Sequence, residues 1–268
     1  MKYSLLSAAL VIGFVQTVSA HSSSAQSAPV HSEQAQKSLD IKQQTRLESS
    51  CSGVQPEQLN AVYEISQTNG SQQAKQKLEL TRYQDNMVYQ ASPQSFEAWN
   101  KNGEYIRYFP MDKRSVSYRR SDLLSLNINY DLEQVFHLVS PKVQSQLKQT
   151  DNIQHGCMTV NSFNGEQSGQ RINLQWVASL NLPYQLIIGE GEQTLRYQLI
   201  EVNPVTQAEF KTLTSGYKDI DFADVGDSES DPFIAKMITQ GFIQHGSSGF
   251  YTSDGQQISG SGHGGHSH

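Results

Sequence analysis

The segment Lys77-Leu78-Glu79-Leu80-Thr81-Arg82-Tyr83 alternates polar with apolar residues, and that beat constrains the chain more than any other feature. Successive side chains of an extended backbone point to opposite faces, so a period of two marks a half-buried strand. The same pattern is set up by Val62–Ser66, then resumes in Met87–Gln90 after the turn signal Asp85-Asn86. Phe96–Trp99 and Tyr105–Phe109 flank Asn100-Lys101-Asn102-Gly103, a hairpin turn, and Ser115–Tyr118 follows Pro110. After Cys157 come Met158–Phe163, Arg171–Val177, Tyr184–Ile188 and Thr194–Val202, with Asn164-Gly165 and Gly189–Glu192 read as the turns between them.

Two interruptions have helical spacing. Leu132, Val135, Phe136 and Val139 recur at intervals of three and four, and Ser140-Pro141 caps a second helix that turns Val143 and Leu147 inward. A meander of about ten strands with short helices inserted predicts a mainly β (α+β) fold, an antiparallel incomplete barrel. Further on, Asp219, Asp221, Asp224, Asp227, Glu229 and Asp231 make an acidic run, and Asp231-Pro232 caps a helix carrying Phe233, Ile234, Met237 and Ile238. The alternate spacing of Asp227, Glu229 and Asp231 also invites a calcium reading, but Pro232 and Ile238 stand where an EF-hand loop needs glycine and glutamate.

The ends of the chain read differently. Residues 1–20 combine Lys2, the apolar run Leu5–Val15 and small residues Val18-Ser19-Ala20, an export signal cut before His21. The mature protein is therefore expected in the periplasm as a soluble species, since no cysteine follows the run to carry a lipid. Residues 21–50, rich in Ser, Gln and Ala, are a disordered leader, and residues 247–268 a disordered His/Gly/Ser tail. The body divides into a half-barrel over 51–210 and an acidic segment with its C-terminal helix over 211–246. In an oxidising compartment Cys51 and Cys157 would form one disulfide, closing a loop of roughly 100 residues for about 4–5 kcal/mol.

The order of elements resembles the periplasmic lipoprotein-carrier (LolA-like) family, which also includes the ligand-sensing domain of RseB. The resemblance lies in the meander, the Tyr105–Pro110 strand leading to a helix-bearing insertion, and Trp176 followed by Leu182-Pro183-Tyr184. It covers roughly residues 55–205. It implies an incomplete barrel whose concave apolar face is covered by helices and can hold acyl chains. No site residue is carried over from it.

Function enters through the candidate residues. Aromatic side chains on strands, Tyr89, Trp99, Tyr105, Tyr108 and Trp176 among them, can line a concave face and contact an apolar ligand. A fully packed barrel core satisfies the same pattern. His263, His266 and His268 on a flexible tail can converge on zinc or copper, while no cofactor is required by any motif in the body. Among catalytic signatures, G-x-S-x-G, H-E-x-x-H and the P-loop are missing, so the chain reads as a binding protein and not as an enzyme. The formal net charge of −6 argues against nucleic acid as a partner. The expected partner is an apolar small molecule or lipid, with a membrane or periplasmic protein as a further partner; the alternative is metal handling by the tail.

Overall fold

A computed structural model describes residues 53–240 apart from Asn127. Twelve strands form one sheet in the order β12-β6-β5-β4-β3-β2-β1-β11-β10-β9-β8-β7. They are β1 (Gln58–Asn69), β2 (Gln72–Tyr83), β3 (Asn86–Gln90), β4 (Phe96–Asn100), β5 (Tyr105–Phe109), β6 (Arg114–Tyr118), β7 (Lys148–His155), β8 (Met158–Gln167), β9 (Gln170–Val177), β10 (Leu182–Glu190), β11 (Gln193–Pro204) and β12 (Lys218–Asp221). Every pairing is antiparallel except that of β12 with β6. The sheet is open, with β12 and β7 at its edges, so the half-barrel expectation holds with two strands more than the alternation marks.

The alternation assigns the faces. Leu59, Ala61, Tyr63 and Ile65 of β1 and Leu78, Leu80 and Arg82 of β2 point to one side, all of them buried. Cross-strand partners continue the row: Tyr89 lies opposite Leu80, Met87 opposite Arg82, and Trp99 opposite both Met87 and Tyr105. This inner face carries the main core. Its covers come from α1 (Arg120–Ser125), α2 (Leu132–His137), α3 (Pro141–Gln144) and α5 (Pro232–Thr239), which contribute Leu123, Val135, Phe136, Phe233, Ile234 and Met237 among others. On the outer face, α4 (Gln207–Thr214) sets Phe210 and Leu213 over Val88, Phe96, Ala98 and Tyr108.

The helices start where capping chemistry starts them. Asp131 accepts from the amides of Glu133 and Gln134 to begin α2, and Asp231 accepts from Phe233 to begin α5. Thr206 and Glu209 form a reciprocal capping box at α4. In contrast to the expected second helix, α3 is a single turn; Leu147 is still buried because it leans over Gly165, where an added Cβ would sit 2.9 Å from its Cδ2. Asn164-Gly165 is not a turn, because both residues continue the ladder opposite Asn173 and Ile172 of β9. Gly165 belongs to β8, and the chain reverses later, at Ser168-Gly169, where both residues have positive φ.

The acidic segment is part of the same sheet. Asp219 accepts from the hydroxyls of Ser115 and Ser117 at 2.6 and 2.7 Å, Asp221 meets Arg119 at 2.5 Å, and Asp231 meets Arg114 at 2.8 Å. These acids register β12 and α5 against β6, and among the described residues no group of three or more potential ligands is arranged for a metal. The calcium reading therefore has no support in the geometry, Asp231 being committed to Arg114 and its own helix cap. Residues 1–20, the leader, His21 and the tail with His263, His266 and His268 lie outside the described residues. Among the described residues no helix is long and apolar enough to cross a membrane.

Candidate functional site

Alternation places Arg82 at the end of the inward row Leu78, Leu80, Arg82, so a guanidinium enters the apolar face. It is only 3% exposed. Burying a charge in such a place is costly unless its donors are satisfied. Here its two terminal nitrogens are met by main-chain carbonyls of the segments lying over the sheet, while its Nε–H has no acceptor among the described residues. Nη1 donates to Pro56 at 2.7 Å and Leu180 at 2.9 Å; Nη2 donates to Phe136 and, at 3.2 Å, to Asn181. The ring Nδ1 of His137 lies 3.3 Å from Nη2 and 3.2 Å from the Asn181 carbonyl.

Two tyrosines on the flanking strands repeat the arrangement. The Tyr89 hydroxyl donates to the carbonyl of Val135, and that of Tyr63 donates to Pro183 at 2.7 Å. Adjacent strands thus present three donors, Tyr63, Arg82 and Tyr89, to carbonyls of α2, of the turn between β9 and β10, of the start of β10 and of Pro56 ahead of β1. The last carbonyls of any helix lack partners within it. In α2 those of Val135 and Phe136 find theirs on the sheet, so its C-terminal end is fastened there by polar contacts. The backbone is strained at both fastened points: Leu138, just past α2, has φ 63° and Asn181 has φ 50°.

Burial sets the electrostatics. It pulls the Arg82 guanidinium below its ordinary value, against the opposing influence of Tyr89, Tyr63 and Glu57. It pushes the Tyr63 and Tyr89 hydroxyls well above theirs, so both stay protonated and serve as donors. His137 is held below its usual range by burial and then by Arg82, with Asn181 and Glu133 acting the other way. Its Nε2 faces Glu133 at 3.5 Å.

A recess of about 170 Å³ opens beside this cluster, lined by His137, Val139, Pro141, Gln144, Trp176 and Asn181. A second, of about 100 Å³, lies on the outer face between α4 and the β3–β5 strands. Both are smaller than the ~300 Å³ at which pockets for drug-sized ligands begin. The inner face is otherwise packed, which is the second of the two arrangements the aromatic pattern allows.

The five aromatic candidates separate accordingly. Tyr89, Trp99 and Tyr105 share the inner face, with Trp99 4.7 Å from Tyr105 and 4.9 Å from Tyr130, centroid to centroid. Trp176 is on the other wing of the sheet and lines the recess. Tyr108 points away from all of them, stacked on Phe96 at 4.5 Å on the outer face beneath Tyr217. It does not join the group because it is one residue out of step with Tyr105 and Phe109. Arg82 is the residue that sequence reasoning passed over, although its signal is present: a cation two residues beyond Leu80 in an inward row. Cys157 lies in the turn between β7 and β8; Cys51 lies outside the described residues.

No family model matches the chain, and no curated protein does. Solved structures similar to it include PNGF-II, at 10% identity and a TM-score of 0.37 over 61% of this chain. The chain spans 31% of the length of PNGF-II. MucB in complex with MucA(peri) is similar at 10% identity and a TM-score of 0.36, over 68% of this chain and 59% of that one. A LolA superfamily protein from Nitrosomonas europaea is similar at 9% identity and a TM-score of 0.29, over 68% of this chain and 97% of that one. The last two are of the kind the sequence resembles. At these TM-scores no residue correspondence is carried across.

Proposed function

We infer that the chain is an exported periplasmic binding protein that holds or senses an apolar ligand, such as a lipid or lipoprotein acyl chain, on the inner face of its sheet. The observation that carries this reading is the way the covers are attached. α2 lies over an aromatic and aliphatic surface, yet its C-terminal end is tied down by Tyr89 and Arg82 acting on carbonyls. Beyond that tie the short helix meets the core through Val135 and Phe136, so little apolar surface has to part for it to lift. The packed interior counts against passive holding in this conformation. Binding therefore requires that α2 move, the ligand replacing Val135 and Phe136 against the strand aromatics at about 0.8 kcal/mol per buried methylene.

The test uses N-phenylnaphthylamine, a neutral dye that brightens in apolar surroundings. Saturable brightening with the mature protein supports the reading, and reduced affinity on Trp99→Ala or Trp176→Ala would place the dye. Titration without brightening at any protein concentration would contradict it.

A further inference from the structure

Arg82 has an unusual set of partners. Its hydrogen-bond partners among the described residues are neutral carbonyls and one imidazole, none of them a carboxylate, and its buried Nε–H has no acceptor there. Buried charges are ordinarily paired with an opposite charge. The exposed Glu57 acts on it only from a distance. Two of the groups that touch Nη2, His137 and Asn181, also form the wall of the 170 Å³ recess. The guanidinium is thus a single layer of exchangeable contacts away from an opening, and the far wall of that opening is Trp176 with Val139 and Pro141.

We propose that the Arg82–His137 recess is the head-group site for a long-chain carboxylate, which makes a fatty acid the ligand class of the apolar site. This rests on the apolar-ligand reading and narrows it. A carboxylate entering past His137 takes the Nε–H and one Nη2–H in the planar two-bond geometry that guanidinium favours. Nη2 is left with one N–H for the carbonyls of Phe136 and Asn181, so at least one of its bonds to them is lost. Those are the bonds that hold α2 and the β9–β10 turn at their two left-handed residues, Leu138 and Asn181. Head-group capture and loosening of the cover are one event, and the alkyl chain follows into the space that α2 vacates. His137 adds a second donor when protonated. Glu133, 3.5 Å from its Nε2, and Lys101, which bears on it from the β4–β5 turn, complete the charges around that ring.

The test compares oleate with methyl oleate, the same chain without the charge, by isothermal titration below their aggregation limits. The expected result is oleate tighter by about tenfold or more, the value of one charge-assisted hydrogen bond. Arg82→Met is expected to erase that preference, with methyl oleate binding at least as tightly as before because the variant no longer fastens α2. Equal affinity for both ligands would overturn the carboxylate assignment and leave apolar binding standing. Failure of both to bind would overturn apolar binding itself. A preference that survives in Arg82→Met would remove Arg82 from the site. Should that variant fail to fold, carboxyl-labelled oleate on the unmodified protein decides the matter by carbon NMR. A bound carboxyl that titrates below the free acid supports the pairing, and one that titrates at or above it refutes it.

Discussion

Tyr89→Phe isolates the fastening of α2 from everything else in the fold. The ring is 4% exposed and packs in the main core, so the substitution keeps its volume and opens no cavity. What it removes is the one bond from the hydroxyl to the Val135 carbonyl. Removing the donor from a buried acceptor costs about 1–2 kcal/mol. In a molecule that unfolds only as a whole, that loss would appear equally at every slowly exchanging amide. Here α2 touches the sheet through Val135, Phe136 and the polar cluster, so the loss should appear first as local opening. The opening constant of residues 132–139 should rise about 5- to 30-fold, while amides of β1 and β2, in the middle of the sheet, change far less. Native-state hydrogen exchange read by mass spectrometry resolves the two regions. Equal acceleration in α2 and β1, or none in α2, would refute the view that α2 is a separately releasable cover.

Further outcomes follow from the same geometry. Because His137 is held below 6.5 in the folded state, its contribution to closure is present above that pH and is lost as pH falls through its lowered value; the opening constant of α2, corrected for the intrinsic exchange rate, should rise as pH falls below about 6.5, and His137→Gln should flatten the profile. Asp231 both caps α5 and meets Arg114, so Asp231→Ala should lose about 1 kcal/mol more in thermal unfolding than Asp231→Asn, which can still cap. If the tail handles metal, removing residues 260–268 should abolish tight zinc binding in titration calorimetry, and unchanged affinity would end that reading. An unreduced peptide map should join Cys51 to Cys157, and two separate peptides would contradict the staple.

How much of this could be read from the chain depended on whether a segment had a buried side. β2, β9 and β11 announce themselves because one face meets the core and the other is largely open to water. β7 does not: Lys148–His155 lies at the sheet edge, exposed along nearly its whole length, so no alternation was selected in it. β12 is four residues inside an acidic run, and its acids pair with Ser115, Ser117 and Arg119, partners about 100 positions away in sequence. α4 carried a legible signal in Thr206-Gln207-Ala208-Glu209, the capping box, whereas its target surface on the outer face could not be seen without the sheet. The site was the least legible part. Arg82 stood out only as a charge in an apolar row, and its meaning comes from carbonyls at positions 56, 136, 180 and 181, which side-chain chemistry cannot encode.

The central claim, that an apolar ligand occupies the inner face by displacing α2, is tested most directly by a distance across the recess. Spin labels at Glu133→Cys on α2 and Ser179→Cys in the β9–β10 turn occupy exposed positions on either side of the Arg82 cluster. Pulsed electron resonance would then compare the ligand-free protein with protein saturated by oleate or methyl oleate, whichever binds. The account predicts that the distance lengthens by about 4 Å or more, one layer of carbon–carbon contact. A ligand bound in stoichiometric amount with the distance unchanged would contradict it.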